Sequence, residues 1–382
     1  MAFRLREAPD FDRIARLAKT RDADLIGRGY LDGRLASGRG AQTNMTGRFE
    51  TERRESFDDG WDLEEEAARP ETITHIEEAR TIITKNDSPD VPFDRSINSY
   101  RGCEHGCSYC FARPSHAYLG HSAGLDFERL IYAKTNAAAR LRAELSRPGY
   151  QAEPIAMGTN TDPYQPLEKT HGLTRSILEV MLETRHPVTI TTKNALVLRD
   201  LDLLTELAKL GLARVALSVT SLDHRLSRKL EPRASTPGRR LEAVEQLAAA
   251  GVPVMVMMAP IIPAINDSAI EPIVAAAAKA GAYDVRGIFL RLPGEVAEIF
   301  REWLLVHYPD RVSHVMSLVR GARGGKNYDS RFGRRMVGDG VFAALVQQRL
   351  DLSRKRAGFR PAAPLRRDLF VPPAAGQQLA LF

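Results

Sequence analysis

Three cysteines, Cys103, Cys107 and Cys110, are the only ones in the 382 residues, and all lie in the run SINSYRGCEHGCSYCFARPSHAYLG. Three thiolates at C-x3-C-x2-C spacing can hold three irons of a [4Fe-4S] cluster and leave the fourth iron open to a further ligand. The same open position separates catalytic from structural metal sites. Gly102 and Gly106 flank the first two cysteines, and wrapping a loop tightly around a metal requires bends without a Cβ. Zinc with His105 or His116 as fourth ligand is the alternative, although zinc sites usually pair C-x2-C with a distant second pair that this chain lacks. Unligated buried cysteines are a further alternative, set against three cysteines in eight residues.

The elements that must position this loop follow from hydrophobic patterning. Short β-branched runs alternate with helical stretches: SINSY, a helix from Asp126 to Ser146, PIAMG, a helix from Thr174 to Thr184, VTITT, and a helix from Leu198 to Leu210 capped by Gly211. RVALSV, a helix from Arg239 to Ala250, VPVMVMMAP, a helix from Glu271 to Ala280, RGIFLRL and a helix from Gly294 to His307 complete six units. Such alternation predicts parallel strands with right-handed crossovers. The expected fold is therefore α/β, a partial (β/α)6 TIM-like barrel with its chemistry at the C-terminal strand ends; an open doubly wound sheet is the alternative. Residues 1–95 read as a polar, loosely ordered extension, 96–310 as the barrel, 311–370 as a basic C-terminal region and 371–382 as a tail.

The cysteine spacing after a first strand, together with GTNTDPYQPLE, ITTKN, LSVTSLD, LEPRAS and MMAPIIPAIND, resembles the radical S-adenosylmethionine (SAM) superfamily. Within it, the chain is similar to the branch that includes spore photoproduct lyase. The resemblance runs from about Ser96 to Leu292. It implies that the open iron binds the amino and carboxylate groups of SAM, and that one electron, from a donor such as flavodoxin or ferredoxin, yields a 5′-deoxyadenosyl radical that takes a hydrogen atom from substrate. By the same resemblance Tyr109 packs beside the adenine end, Lys193 meets the carboxylate or ribose, and Ser218 bonds SAM's polar groups. Thr159, Asn160 and Asp162 occupy the turn that touches the SAM amino group, here without the usual Gly-Gly-Glu.

The chain departs from the lyase pattern in having no fourth cysteine: Thr159 aligns near the missing thiol, and Phe111 follows the third cluster cysteine. Neither side chain has a hydrogen atom to return as a thiol or phenol would, so the dimer-splitting relay is not expected. Catalytic assignment stays open, with Tyr109 and Tyr164 as candidates and His171 as a further stacking or proton-transfer group. Arg113, and Arg225, Arg228, Lys229, Arg233, Arg239 and Arg240 after the fourth strand, suit a polyanion. Asp162, Arg225, Arg233 and Arg113 are the substrate-binding candidates; Glu231 and Arg233 could pair with each other or with substrate.

Net charge is +6 but segregated. Residues 311–367 carry 14 Lys/Arg against three Asp, and residues 50–78 carry 12 acids against three Arg. The basic stretch fits a nucleic-acid surface and the acidic one a solvated linker. Clustered cysteines exclude a disulfide framework, no apolar run reaches the length of a membrane span, and the N-terminus mixes acids among its arginines, so a cytoplasmic location is expected. The chain ends in VPPAAGQQLALF. Its QLALF is similar to the Q-L-x-L-F peptide by which bacterial polymerases and repair factors dock on the sliding clamp, with Gln378 as polar anchor and Leu379, Leu381 and Phe382 filling apolar pockets. Three functions fit these features: a radical SAM enzyme acting on DNA in lesion repair, one acting on RNA, protein or a small molecule, or a non-enzymatic metal-stabilised nucleic-acid-binding adaptor.

Overall fold

The structure is a computed structural model that describes residues 38–50 and 71–373. Its strands are β1 (Ile73–Glu77), β2 (Ile83–Lys85), β3 (Arg95–Ile97), β4 (Tyr100–Arg101), β5 (Leu130–Lys134), β6 (Ile155–Met157), β7 (Val188–Thr192), β8 (Ala213–Ser218), β9 (Val254–Ile261) and β10 (Val285–Phe289). The longer helices are α1 (Ala137–Leu145), α2 (Leu173–Glu183), α3 (Leu201–Lys209), α4 (His224–Leu230), α5 (Pro237–Ala249), α6 (Ile270–Lys279), α7 (Val296–His307), α8 (Val312–Gly321) and α9 (Gly340–Ala357).

Seven strands form one sheet in the order β10-β9-β8-β7-β6-β3-β2. Six of them run parallel in chain order, and β2 adds antiparallel at one edge. A doubly wound sheet reverses its strand order midway; here the order never reverses, so the chain winds one way, as in a partial barrel. The sheet is open, and β10 and β2 do not pair. Strand patterning explains the two unlike faces: Val254, Val256 and Met258 are buried toward the helices while Met255 and Met257 are half-exposed on the other side, the two-residue period of a strand. Leu178, Leu207, Leu247 and Ile273 supply the helix side of this core.

Two expectations are corrected. The helix foreseen from Asp126 to Ser146 is one turn (Asp126–Arg129), then β5, then α1. β5 pairs parallel with β1 and antiparallel with β4 in a separate small sheet, so long-range pairing overrides the local helical pattern. The partner, β1, lies in the stretch read as a loosely ordered extension. That reading fails over 71–95, which supplies β1 and β2, and over 38–50, where Arg39, Ala41, Gln42 and Thr43 are buried.

The two sheet edges are joined by side chains and loops. Met336 O accepts from Phe289 N at 2.8 Å along the free edge of β10. Nearby, Gly333 N donates to Asp90 Oδ1 at 2.6 Å, and Arg335 pairs with Asp90 and Ser88 in the β2–β3 loop. The basic C-terminal region is thus largely engaged in structure: Arg331 pairs with Asp329, Arg334 with Asp339, Arg349 with Glu271 and Arg354 with Asp284. Residues 358–373 run beneath the sheet, where Arg366 N donates to Gly211 O at 3.0 Å, Arg367 pairs with Glu153 and Val371 N donates to Thr184 O at 2.9 Å. These partners all precede strands, so this segment lies at the face opposite the cysteine loop.

Candidate functional site

The cysteine loop follows β4 and is held by backbone and buried charge. Cys103 N donates to Phe127 O at 2.9 Å, Ser108 N to Leu230 O at 3.1 Å and Glu104 N to Gln165 Oε1 at 2.9 Å. Glu128, fully buried, accepts from Gly40 N (3.0 Å) and Ala41 N (2.7 Å) and pairs with Arg113. Residues 39–43 are thereby strapped across the loop so closely that a Cβ on Gly40 would lie 1.6 Å from Gly106 O. Gly106 itself adopts φ +64°, and its own Cβ would meet the Glu128 carboxylate at 2.6 Å, which is the physical reason for glycine at both places.

Arg113, foreseen as a substrate contact, is corrected. It is fully buried and donates to the carbonyls of Cys107 (2.9 Å), Ala123 (3.1 Å) and Gly124 (2.9 Å). Asp162 is likewise built into the scaffold, accepting from Thr192 Oγ1 (2.6 Å), Lys193 N (2.8 Å) and Tyr164 N (2.9 Å), with His105 Nδ1 3.2 Å away. Burial pushes the Asp162 carboxyl up, but His105 and Thr192 more than reverse it, to about 2. Burial works against a charged His105, yet Asp162 and Cys103 push it up to about 9. His116 is buried between His121 and Phe127 and held down to about 4 by that burial.

Tyr164 is corrected as a catalytic candidate: it is fully buried in the core on the helix side, its hydroxyl donating to Asp200 at 3.1 Å. His171 packs edge-on against Tyr100. Arg240 is buried and donates to Ser218 O (2.9 Å), Ser235 O (2.7 Å) and the Glu231 carboxylate, so it leaves the polyanion set. Glu231 pairs with Arg240 rather than Arg233, whose partner is Glu104 at 3.0 Å. Arg225 and Arg228 remain exposed on α4.

What the fold does bring together is Tyr109, Lys193, Ser218 and Glu231. The Tyr109 hydroxyl donates to Glu231, which also accepts from Thr220 Oγ1 at 3.0 Å. Burial pushes Tyr109 well above its ordinary range, and Glu231 adds to that. Burial also pushes Glu231 up, but Arg240 and Lys193 outweigh it and keep the carboxyl low. Burial opposes the Lys193 ammonium, and Cys107, Glu231 and Asp162 more than compensate. Thr159 and Asn160 sit in a turn held by Asn98, whose amide donates to Thr159 Oγ1 (3.0 Å) and whose carbonyl accepts from Asn160 N (2.9 Å) and Thr161 N (3.2 Å). Sequence reasoning missed Asn98, Glu128 and the role of Glu231. Asn98 lies in SINSY and Glu231 in LEPRAS, two runs that already carried signal, while nothing local marked Glu128.

The donor set fits an iron–sulfur cluster. Cys103 and Cys107 are buried, Cys110 is partly exposed, and none forms a disulfide. Burial pushes the Cys107 and Cys110 thiols up and their neighbouring thiols add to this. Among the described residues, no three His, Cys, Asp or Glu side chains converge as a single bound ion requires. Soft sulfur donors in such a loop suit an iron–sulfur group.

A family model described as the radical SAM superfamily matches residues 97–277. An uncharacterized protein of Mycobacterium tuberculosis is 38% identical over 284 residues, which cover 74% of this chain and 81% of that protein. An uncharacterized protein of Methanocaldococcus jannaschii is 29% identical over 171 residues, 45% of this chain and 61% of that one. In fold, the chain resembles a cysteine-to-serine mutant of spore photoproduct lyase with a TM-score of 0.55 and 19% identity, covering 75% of this chain and 80% of that one. A mutant of the same lyase with bound AdoMet and dinucleoside spore photoproduct gives a TM-score of 0.52 at 18% identity, with the same coverage. The chain belongs to the radical SAM superfamily. It is a radical SAM enzyme, and that family uses a [4Fe-4S] cluster and SAM. No described helix is long and apolar enough to cross a membrane.

Proposed function

We propose that this enzyme acts on DNA in lesion repair and is brought to it by the replication sliding clamp. In this reading Cys103, Cys107 and Cys110 hold the cluster, and Tyr109, Lys193, Ser218, Thr159 and Asn160 surround SAM. When bound, cluster and SAM supply a 5′-deoxyadenosyl radical that abstracts hydrogen from substrate. The chain's own part is positioning and exclusion of water. Glu231, tied to Arg240 and Tyr109, sets a fixed negative charge beside the Lys193 ammonium, and residues 39–43 cover the loop.

The observation that carries the DNA reading is the likeness of fold to a lyase solved with a dinucleoside spore photoproduct, joined to the QLALF terminus. The residues Gln378, Leu379, Leu381 and Phe382 lie outside the described residues. The described chain ends beneath the sheet, where Val371 is bonded to Thr184. A partner held by the terminal pentapeptide would leave the cysteine face free, which suits docking on a ring around DNA. Thr159 carries a hydroxyl engaged with Asn98, so hydrogen return by a thiol is absent from this reading and the reaction differs from the lyase relay.

The test is anaerobic reconstitution with iron and sulfide, then incubation with SAM, reductant and UV-damaged or alkylated DNA carrying deuterium. Deuterium in 5′-deoxyadenosine is expected. Transfer from RNA or protein but not from DNA would replace the substrate class while keeping the enzyme.

A further inference from the structure

Beside the cysteine loop, large apolar rings that would ordinarily be buried face solvent. Phe111, directly after Cys110, is 43% exposed, Phe332 is 55% exposed and Phe49 is 56% exposed. Each lies under a guanidinium: Arg291 is 4.6 Å from the Phe111 ring centre, Arg335 is 4.8 Å from Phe332, and Arg48 is 5.6 Å from Phe49.

The three pairs are tied to one region. Arg291 follows β10, and its Nη1 reaches Met336 Sδ at 3.2 Å, so the Phe111 and Phe332 pairs are linked through neighbouring residues. Arg48 pairs with Glu295 at 2.5 Å, four residues beyond Arg291 in the loop leading to α7. Gly294 in that loop lies against Pro114, for a Cβ there would come within 3.7 Å of the proline ring. The Phe111 and Phe49 pairs therefore flank the β10–α7 loop on the cysteine side of the sheet, and the Phe332 pair adjoins them through Met336 while Arg335 reaches across to the β2–β3 loop.

Exposed phenyl rings cost hydration free energy unless something covers them. A duplex offers them only a charged backbone, because its bases are stacked inside. An unpaired strand offers both base faces and phosphates, the two chemistries that aromatic rings beside guanidinium groups can take. The loop 331–335 also adds the exposed cations Arg331 and Arg334, whose acidic partners Asp329 and Asp339 leave part of each guanidinium open to solvent.

We infer that Phe111, Phe332 and Phe49, with Arg291, Arg335 and Arg48, form a stacking platform for unpaired nucleotides of a single DNA strand, leading to the cysteine loop. This deepens, and rests on, the proposed action on DNA. Base faces lie on the rings while phosphates meet the exposed guanidinium groups of Arg331 and Arg334, so the platform favours locally melted or flipped-out substrate over intact duplex.

The experiment is fluorescence anisotropy with the reconstituted full-length enzyme and three labelled probes of equal length: oligothymidine, an intact duplex, and an abasic phosphodiester strand. Oligothymidine is expected to bind more tightly than either other probe. Phe111→Ala and Phe332→Ala are each expected to weaken oligothymidine binding about 5- to 140-fold, the range of a lost stacking contact. Phe111→Trp and Phe332→Trp restore it, which separates stacking from misfolding. Equal binding of the abasic strand, or alanine variants that bind oligothymidine as well as the unaltered enzyme, overturns the platform and leaves the DNA reading intact. If no DNA probe binds while the enzyme still cleaves SAM reductively, both are overturned.

Discussion

Glu231 is the residue on which most of the buried charge near the cysteines turns. It accepts from Tyr109, Thr220 and Arg240, and its neighbours keep it ionised despite complete burial. Removing one partner of such a pair leaves an uncompensated buried charge, which costs about 3–5 kcal/mol. Glu231→Gln is therefore expected to lower the urea midpoint markedly, whereas Arg225→Gln, on the exposed face of α4, is expected to leave it within experimental scatter. Cys103→Ser, Cys107→Ser and Cys110→Ser are each expected to reduce iron and sulfide content and to abolish 5′-deoxyadenosine formation; retention of both by any one would remove that cysteine from the ligand set. The cysteine cluster stood out in the sequence because its spacing is a local property of the chain. The roles of Arg113, Arg240 and Tyr164 did not, because an arginine or tyrosine reads the same in sequence whether it meets a phosphate or a buried carbonyl.

At the scale of elements, close backbone approaches decide what the loop tolerates. Gly40→Ala forces a Cβ against Gly106 O, so the strap over the cysteines must lift, and iron occupancy after reconstitution is expected to fall. Gly238→Ala, inside α5 with open space around it, is the matched control and is expected to be neutral or stabilising by up to about 1 kcal/mol. A second prediction concerns the face opposite the cysteines. His186 is buried against Tyr150 and Phe370, and burial holds it down to about 4 from an ordinary 6.5. Below pH 6.5 the unfolded imidazole takes a proton that the folded one refuses, so stability falls as pH drops toward 4, by on the order of 1.4 kcal/mol per pH unit at most. His186→Phe is expected to show a shallower loss between pH 7 and pH 5 in urea titrations; equal slopes would assign the loss to other groups. Strand and helix existence were legible here, since VTITT and VPVMVMMAP alternate and α2, α5 and α6 keep a helical period. The 126–146 region was not, because β5 is a strand only by virtue of pairing with β1 and β4, both of which lie far away in sequence.

For the whole molecule, the direction of winding separates two faces. One carries the C-terminal strand ends and the cysteine loop; the other carries residues 358–373, bonded to Gly211, Glu153 and Thr184. Deleting Gln378 to Phe382 is expected to abolish binding to a sliding clamp in a pull-down while reductive SAM cleavage continues, because the described chain already ends on the far face. Truncation after Ala357 would instead expose Tyr150 and His186, now covered by Phe370, and is expected to lower thermal stability. The sequence by itself determined the six-unit alternation and the superfamily, since spacing and period are local properties of the chain. Only the tertiary structure decided which arginines are buried, that residues 38–50 strap the cysteine loop and that 71–95 build strands. It also decided that Glu231 belongs with Tyr109 and Arg240. Burial and long-range pairing arise between segments far apart in sequence, and no local pattern encodes them.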